Sequence, residues 1–181
     1  LLFDQFAPNE KVRLFAYVEL SMMEFLREIQ WQCYNKHQVS VTWDETMQAL
    51  IYTYGVEMQP RPHETPLVYF GADREPQAYD GDRDEFIGSY RSEANPYAVE
   101  QGRCSGSTLL GGDPCAALQF DLELQPGSQQ ALNVFLGAAE HRDEIALALA
   151  ALRQPGATSG ALERLRDGWA RYLGKMAVRL P

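Results

Sequence analysis

Along the first two thirds of the chain, apolar positions recur mainly at every second residue. Val12–Leu20 (VRLFAYVEL) joins aromatic and branched residues and predicts a strand. Val39–Trp43 alternates as a half-buried strand, Asp44 and Glu45 mark a turn, and Ala49–Val56 returns as its partner. Leu67–Ala72 predicts another strand, whereas the three prolines of Gln59–Pro66 exclude both a helix and a central strand. The clearest alternation is Ala116–Leu124, with Leu118, Phe120, Leu122 and Leu124 on one face. Pro126 and Gly127 turn the chain there, and Leu132–Leu136 is expected to complete a hairpin with it. Helical spacing predicts a short helix through Met22, Phe25, Leu26 and Ile29.

Beyond residue 140 the texture changes. Asp143–Arg153 is rich in Ala and Leu, with Ile145, Leu149 and Leu152 on one face of a helix. Gln154–Gly160 reads as a breaker and linker. Ser159 is placed to cap a second helix carrying Leu162, Leu165, Trp169, Tyr172 and Met176 at spacings of three and four. The pattern is a mainly antiparallel β region followed by a helical connector, without internal repeats.

Composition narrows the function. With 181 residues, 45% apolar and 11% aromatic, the chain can bury one sizeable core. A net charge of −9, scattered rather than in runs, argues against nucleic acid and anionic membrane as partners. Cys33, Cys104 and Cys115 form neither a paired framework nor a CxxC, which reads as reduced thiols in the cytoplasm. Neither a leader pattern nor an apolar run long enough for a membrane span is present. The chain starts on Leu1 and stops just after a helical pattern, so a piece of a longer polypeptide is expected.

The densest chemistry lies in Gly81–Leu124, where acids, arginines and aromatics share a polar loop followed by Gly/Ser-rich turns. Ordering such a loop costs conformational entropy that packing or binding must offset. The D-x-D-x-D spacing of Asp80, Asp82 and Asp84 resembles the start of a calcium loop, but Glu85 and Arg91 stand where that loop needs Gly and Glu. His37, His63 and His141 are far apart and lack the spacing of zinc ligands. Cys104-Ser105-Gly106-Ser107 lacks the G-x-S-x-G elbow, and Gly111-Gly112-Asp113-Pro114 lacks the Lys-Ser/Thr of a phosphate loop. Aromatics interleave with polar residues at Trp31–Gln38 and Tyr90–Tyr97, surfaces that suit either sugar contact or ordinary packing at a sheet edge.

An ordered set of motifs carries a resemblance. YVEL at Tyr17–Leu20, WQCYNKHQVSV at Trp31–Val41, DRDEFIG at Asp82–Gly88 and YRSEANPYAVEQGRCSGS at Tyr90–Ser107 are followed by GGDPCAALQ at Gly111–Gln119. DLELQPG at Asp121–Gly127 and FLGAAE at Phe135–Glu140 complete the series. Together they resemble glycoside hydrolase family 94, the phosphorylases once classed as glycosyltransferase family 36. WQCYNKHQ and ETPLVYF at Glu64–Phe70 are closer to the 1,2-β-oligoglucan phosphorylases than to cellobiose phosphorylase.

The resemblance implies a partial β-supersandwich of the galactose-mutarotase-like kind over residues 1–140. Residues 141–181 would be a two-helix linker leading to an (α/α)6 barrel outside this chain. It also implies inverting phosphorolysis of β-glucosides, with β-1,2-glucooligosaccharides as the expected substrates, to give α-glucose 1-phosphate. Inorganic phosphate is then the co-substrate, with no metal and no other cofactor. The general-acid aspartate of the family lies in the barrel, so no residue of this chain inherits a catalytic role. Arg83, Asp84, Glu85, Arg91 and Asp113 are expected at the substrate rim or the domain interface. The chain's own barrel and a homodimer are the expected partners. Two other readings stay open: a carbohydrate-binding module that acts without catalysis, and the phosphorylase-like domain of a cyclic β-1,2-glucan synthase.

Overall fold

The computed structural model describes residues 10–22, 25–55 and 66–175. Its strands are β1 (Glu10–Glu19), β2 (Val39–Asp44), β3 (Ala49–Tyr54), β4 (Leu67–Ala72), β5 (Ala78–Asp82), β6 (Leu109–Leu110), β7 (Pro114–Leu124) and β8 (Val134–Ala139). The helices are α1 (Phe25–Lys36), α2 (Arg83–Phe86), α3 (Tyr97–Gln101), α4 (Arg142–Leu152) and α5 (Ala157–Gly174). Among the described residues the strands form two sheets, one ordered β1-β7-β5 and the other β6-β2-β3-β4-β8. All pairings between these strands are antiparallel. The mainly β, sandwich-like fold expected from the sequence is what forms.

Strict alternation sorts the side chains into layers. Leu14, Ala16 and Val18 of β1 and Ala116, Leu118, Phe120 and Leu122 of β7 meet Val41, Leu50, Tyr52 and Phe70 of the other sheet. This is the sandwich core, and it confirms the face read from Ala116–Leu124. The alternate positions of the larger sheet, Ala49, Ile51, Tyr69 and Phe135, are covered by Ile145 and Leu149 of α4. On the smaller sheet, Phe15, Tyr17, Cys115 and Ala117 are covered by Phe86 and Ile87 at α2 and Ala98 of α3. Both sheets therefore sit between a sheet and a helix, which is why β7 is buried on both faces from Cys115 to Phe120.

Three expectations are corrected. Leu132–Leu136 does not complete a hairpin with the preceding strand. β7 is flanked by β1 and β5, while β8 crosses to the other sheet and pairs with β4. The turn at Gly127 does form, with Ser128 N–H donating to the Gln125 carbonyl at 2.9 Å, but the chain continues past it. Asn133 then docks on Asp73, donating from Nδ2 to Oδ2 at 2.6 Å and from its backbone N–H to Oδ1 at 3.2 Å, which sets the start of β8 beside β4. Second, Ser159 does not cap α5. The helix begins earlier, at Ala157 after the left-handed Gly156, so the break is confined to a tight turn after α4. Third, the short helix runs to Lys36 with a kink at Trp31.

Strand β5 escaped the sequence reading because its polar residues, Asp80 and Asp82, hide a strand pattern. The Gln59–Pro66 stretch lies outside the described residues up to position 65, as do His63, Val56 and Met176.

Candidate functional site

The loop between β5 and β7 is organised around one buried acid. Asp80 is fully buried in β5. Its Oδ1 accepts from the backbone N–H of Ser105 (3.0 Å) and Ser107 (3.0 Å), and from their hydroxyls at 2.6 and 2.8 Å. Gly106, with φ +79°, lets the chain fold back so that both serines face the same carboxylate. The Ser-Gly-Ser turn is thus a cradle for a structural carboxylate, since a buried charge is tolerated only when fully hydrogen-bonded. Gly81 follows under equal constraint. A Cβ there would come within 2.9 Å of Val41 Cγ1 and 3.2 Å of the Ser107 carbonyl.

Asp82 then starts α2, its carboxylate accepting from the Asp84 N–H at 2.9 Å. Helix caps of this kind answer the unpaired N–H groups of a first turn. Arg83 extends its guanidinium to Glu19 at the end of β1, Nε donating to Oε1 at 2.7 Å, and reaches Glu93 at 3.4 Å. The Tyr17 hydroxyl donates to the same Glu19 oxygen, and the Tyr17 ring stacks on Phe86 with centroids 4.8 Å apart. The hydrogen bond to Glu19 raises the Arg83 pKa above its already high value, so the cation is permanent. Burial, reinforced by the bond to Glu19, likewise raises that of Tyr17, which stays a neutral donor.

The Arg83 backbone N–H donates to the Asp113 carbonyl at 3.0 Å, and the Asp113 carboxylate forms an ion pair with Lys36 at the end of α1. Two of the five expected site residues, Arg83 and Asp113, therefore share a corner where β1, α1, α2 and the start of β7 converge. Asp84 and Glu85 lie exposed on the first turn of α2. Arg91 belongs to a neighbouring brace. It forms an ion pair with Glu100, and its guanidinium carbon lies 5.3 Å from the centre of the Tyr97 ring.

Sequence reasoning missed Glu19, Tyr17, Lys36 and Asp80. None of them left a local trace of this role, since even Asp80 stands 25 residues before the first serine that holds it. In this corner the Glu19 and Asp113 carboxylates each meet a cation, and Asp80 meets serine donors. These contacts hold the surrounding loops in register. Burial, aided by the nearby Asp80 charge, pushes the Cys104 and Cys115 thiols up, away from nucleophilic thiolate.

Known proteins place this geometry. The family model described as "Glycosyl hydrolase 94, supersandwich domain" matches residues 7–155. An N,N'-diacetylchitobiose phosphorylase of Vibrio furnissii is 31% identical over 174 residues, 94% of this chain and 20% of the relative. That of Vibrio proteolyticus is 34% identical over 143 residues, 74% of this chain and 16% of the relative. A cyclic beta-(1,2)-glucan synthase of Rhizobium meliloti is 31% identical over 142 residues, 77% of this chain and 5% of the relative. The chain thus spans a fifth or less of the length of these relatives. With a layered β-sandwich, a braced loop where the family's long motif runs and a match across most of its length, the chain belongs to glycoside hydrolase family 94 through its supersandwich domain.

Proposed function

We propose that this chain is the non-catalytic sandwich and linker of an inverting glycoside phosphorylase acting on β-glucosides. β-1,2-Glucooligosaccharides are the substrate of this reading and α-glucose 1-phosphate its product, with inorganic phosphate as co-substrate and no other cofactor. The observation that carries it is the match of residues 7–155 to the family's supersandwich model, alongside the similarity to phosphorylases of two Vibrio species. Residues 1–140 serve as the sandwich and 141–181 as the linker to an (α/α)6 barrel, in a cytoplasmic enzyme that forms a homodimer. Helix α5 supports a docking role. Leu162, Leu165, Trp169 and Tyr172 form an exposed apolar stripe, a pattern that an isolated surface helix does not need. No described helix is long and apolar enough to cross a membrane.

In this reading Arg83, Asp84, Glu85, Arg91 and Asp113 lie toward the substrate rim or the barrel interface. The direct test incubates the full-length protein with β-1,2-glucotriose and phosphate and assays α-glucose 1-phosphate. No product, or the β anomer, would sink the assignment. An Arg83→Ala variant is expected to lower kcat/KM or thermal stability, and one that alters neither removes the corner from the argument. The match to the glucan synthase favours a second reading, a phosphorylase-like domain of a larger synthase. Membrane-spanning helices encoded upstream of this chain would decide for it.

A further inference from the structure

The turn Gly88–Arg91 is closed by the Arg91 N–H donating to the Gly88 carbonyl at 3.2 Å, and its third residue, Tyr90, has φ +63°. A left-handed third position favours Gly or Asn, and a bulky side chain there is a backbone outlier. The fold offers Tyr90 nothing in return. Its side chain is fully exposed, at 108%, and among the described residues no hydrogen bond, ion pair or ring contact of that side chain is found. Gln48, the other described non-glycine residue with positive φ, differs. Its Nε2 donates to the Glu45 carbonyl at 2.8 Å, and its own carbonyl accepts from Arg153 at 3.3 Å.

The strained turn is also held firmly. Arg83 reaches Glu93 on one side, Arg91 pairs with Glu100 on the other, and the Asn95 N–H donates to the Ser92 carbonyl at 3.0 Å. An unfavourable backbone that presents a bare ring on a braced loop is the arrangement of a pre-organised contact, whose ordering cost is met before binding. The neighbouring Ser89, Ser92, Glu93 and Asn95 are exposed and polar. A protein-binding hot spot needs a surrounding patch that excludes water. One ring amid hydroxyl, amide and carboxylate groups instead matches a pyranose, with its ring-sized C–H face and hydroxyl edge. We infer that Tyr90 is a stacking residue for one sugar unit of a bound glucan, an inference that rests on the saccharide substrate proposed above.

The test uses Tyr90→Gly and Tyr90→Phe in the full-length protein, with calorimetric titration of β-1,2-glucotriose, β-1,4-glucotriose and N,N'-diacetylchitobiose, thermal melts and light scattering. Tyr90→Gly should raise the melting temperature while weakening binding of the β-1,2-trisaccharide roughly tenfold, and Tyr90→Phe should match the parent in both. Unchanged binding by Tyr90→Gly, or a lowered melting temperature, overturns the inference. A changed oligomeric mass with binding intact assigns the ring to a protein contact and overturns it as well. Parent protein that binds none of the three sugars does the same. Parent protein that binds the trisaccharide without forming glucose 1-phosphate removes the phosphorylase reading alone, since the effect of Tyr90→Gly on binding is still read.

Discussion

Asparagine in place of Asp80 keeps the size of the side chain and removes the charge around which four donors from Ser105 and Ser107 converge. The amide oxygen can still face those donors, but without the charge. Its NH2 then meets the Ser105 N–H, which in the native protein donates to Oδ2 at 3.1 Å, in a fully buried site. We expect Asp80→Asn to destabilise the protein by about 2–3 kcal/mol in urea unfolding, the scale of hydrogen bonds to a buried charge. Gly137 makes a steric counterpart. A Cβ on it would lie 2.4 Å from the Tyr69 ring, which is itself buried against α4. Gly137→Ala should therefore cost about 1–3 kcal/mol by overpacking, read from the same unfolding curves. Neither demand is visible at its own position, because Asp80 and Ser105 are 25 residues apart and Gly137 meets a residue of another strand.

Helices α4 and α5 have similar apolar stripes in the sequence and opposite fates in the fold. Ile145 and Leu149 of α4 are buried beneath β3, β4 and β8, and Arg153 at its end donates to the carbonyls of Ala72 (2.8 Å) and Gln48 (3.3 Å). No residue of α5 is buried. Ile145→Ala should thus cost about 2–5 kcal/mol, whereas Leu165→Ala should change the stability of this chain by less than about 0.5 kcal/mol. Equal losses from the two substitutions in chemical denaturation would contradict the separation. Strand β7 was legible by its period of two, and even its inward face was right. Its partners were not, because an alternating strand states which side faces a core and leaves open which strand lies beside it.

At the scale of the whole molecule, two sheets and two helical layers share their strands, so the buried thiols titrate with the entire fold. Burial holds the Cys104 and Cys115 thiols above the ordinary thiol range in the folded state. The sign follows from linkage: above about pH 8.5 the unfolded chain loses thiol protons that the folded chain keeps. Stability is therefore unaffected by these groups below that pH and falls as pH rises past it, a slope that Cys115→Ala should reduce in unfolding curves from pH 7 to 10. In the native protein, an aromatic disulfide reagent should label exposed Cys33 and leave Cys104 and Cys115 silent until denaturant is added. Rapid labelling of all three thiols would contradict the buried layer between α2 and β7.

From the sequence alone came the strand and helix pattern, the inward face of β7 and the ordered motifs of the family, because periodicity and local motifs are properties of neighbouring residues. Only the tertiary structure decided that β8 joins β4, that α4 closes the core while α5 stays uncovered, and that Arg83 meets Glu19 and Asp113. Those outcomes depend on contacts between residues tens of positions apart, whose free energy arises from burial and hydrogen bonding that no local pattern records. The tertiary structure likewise turned Tyr90 from one aromatic in a polar loop into a strained, solvent-facing ring. Its φ and its exposure exist only once the turn is closed.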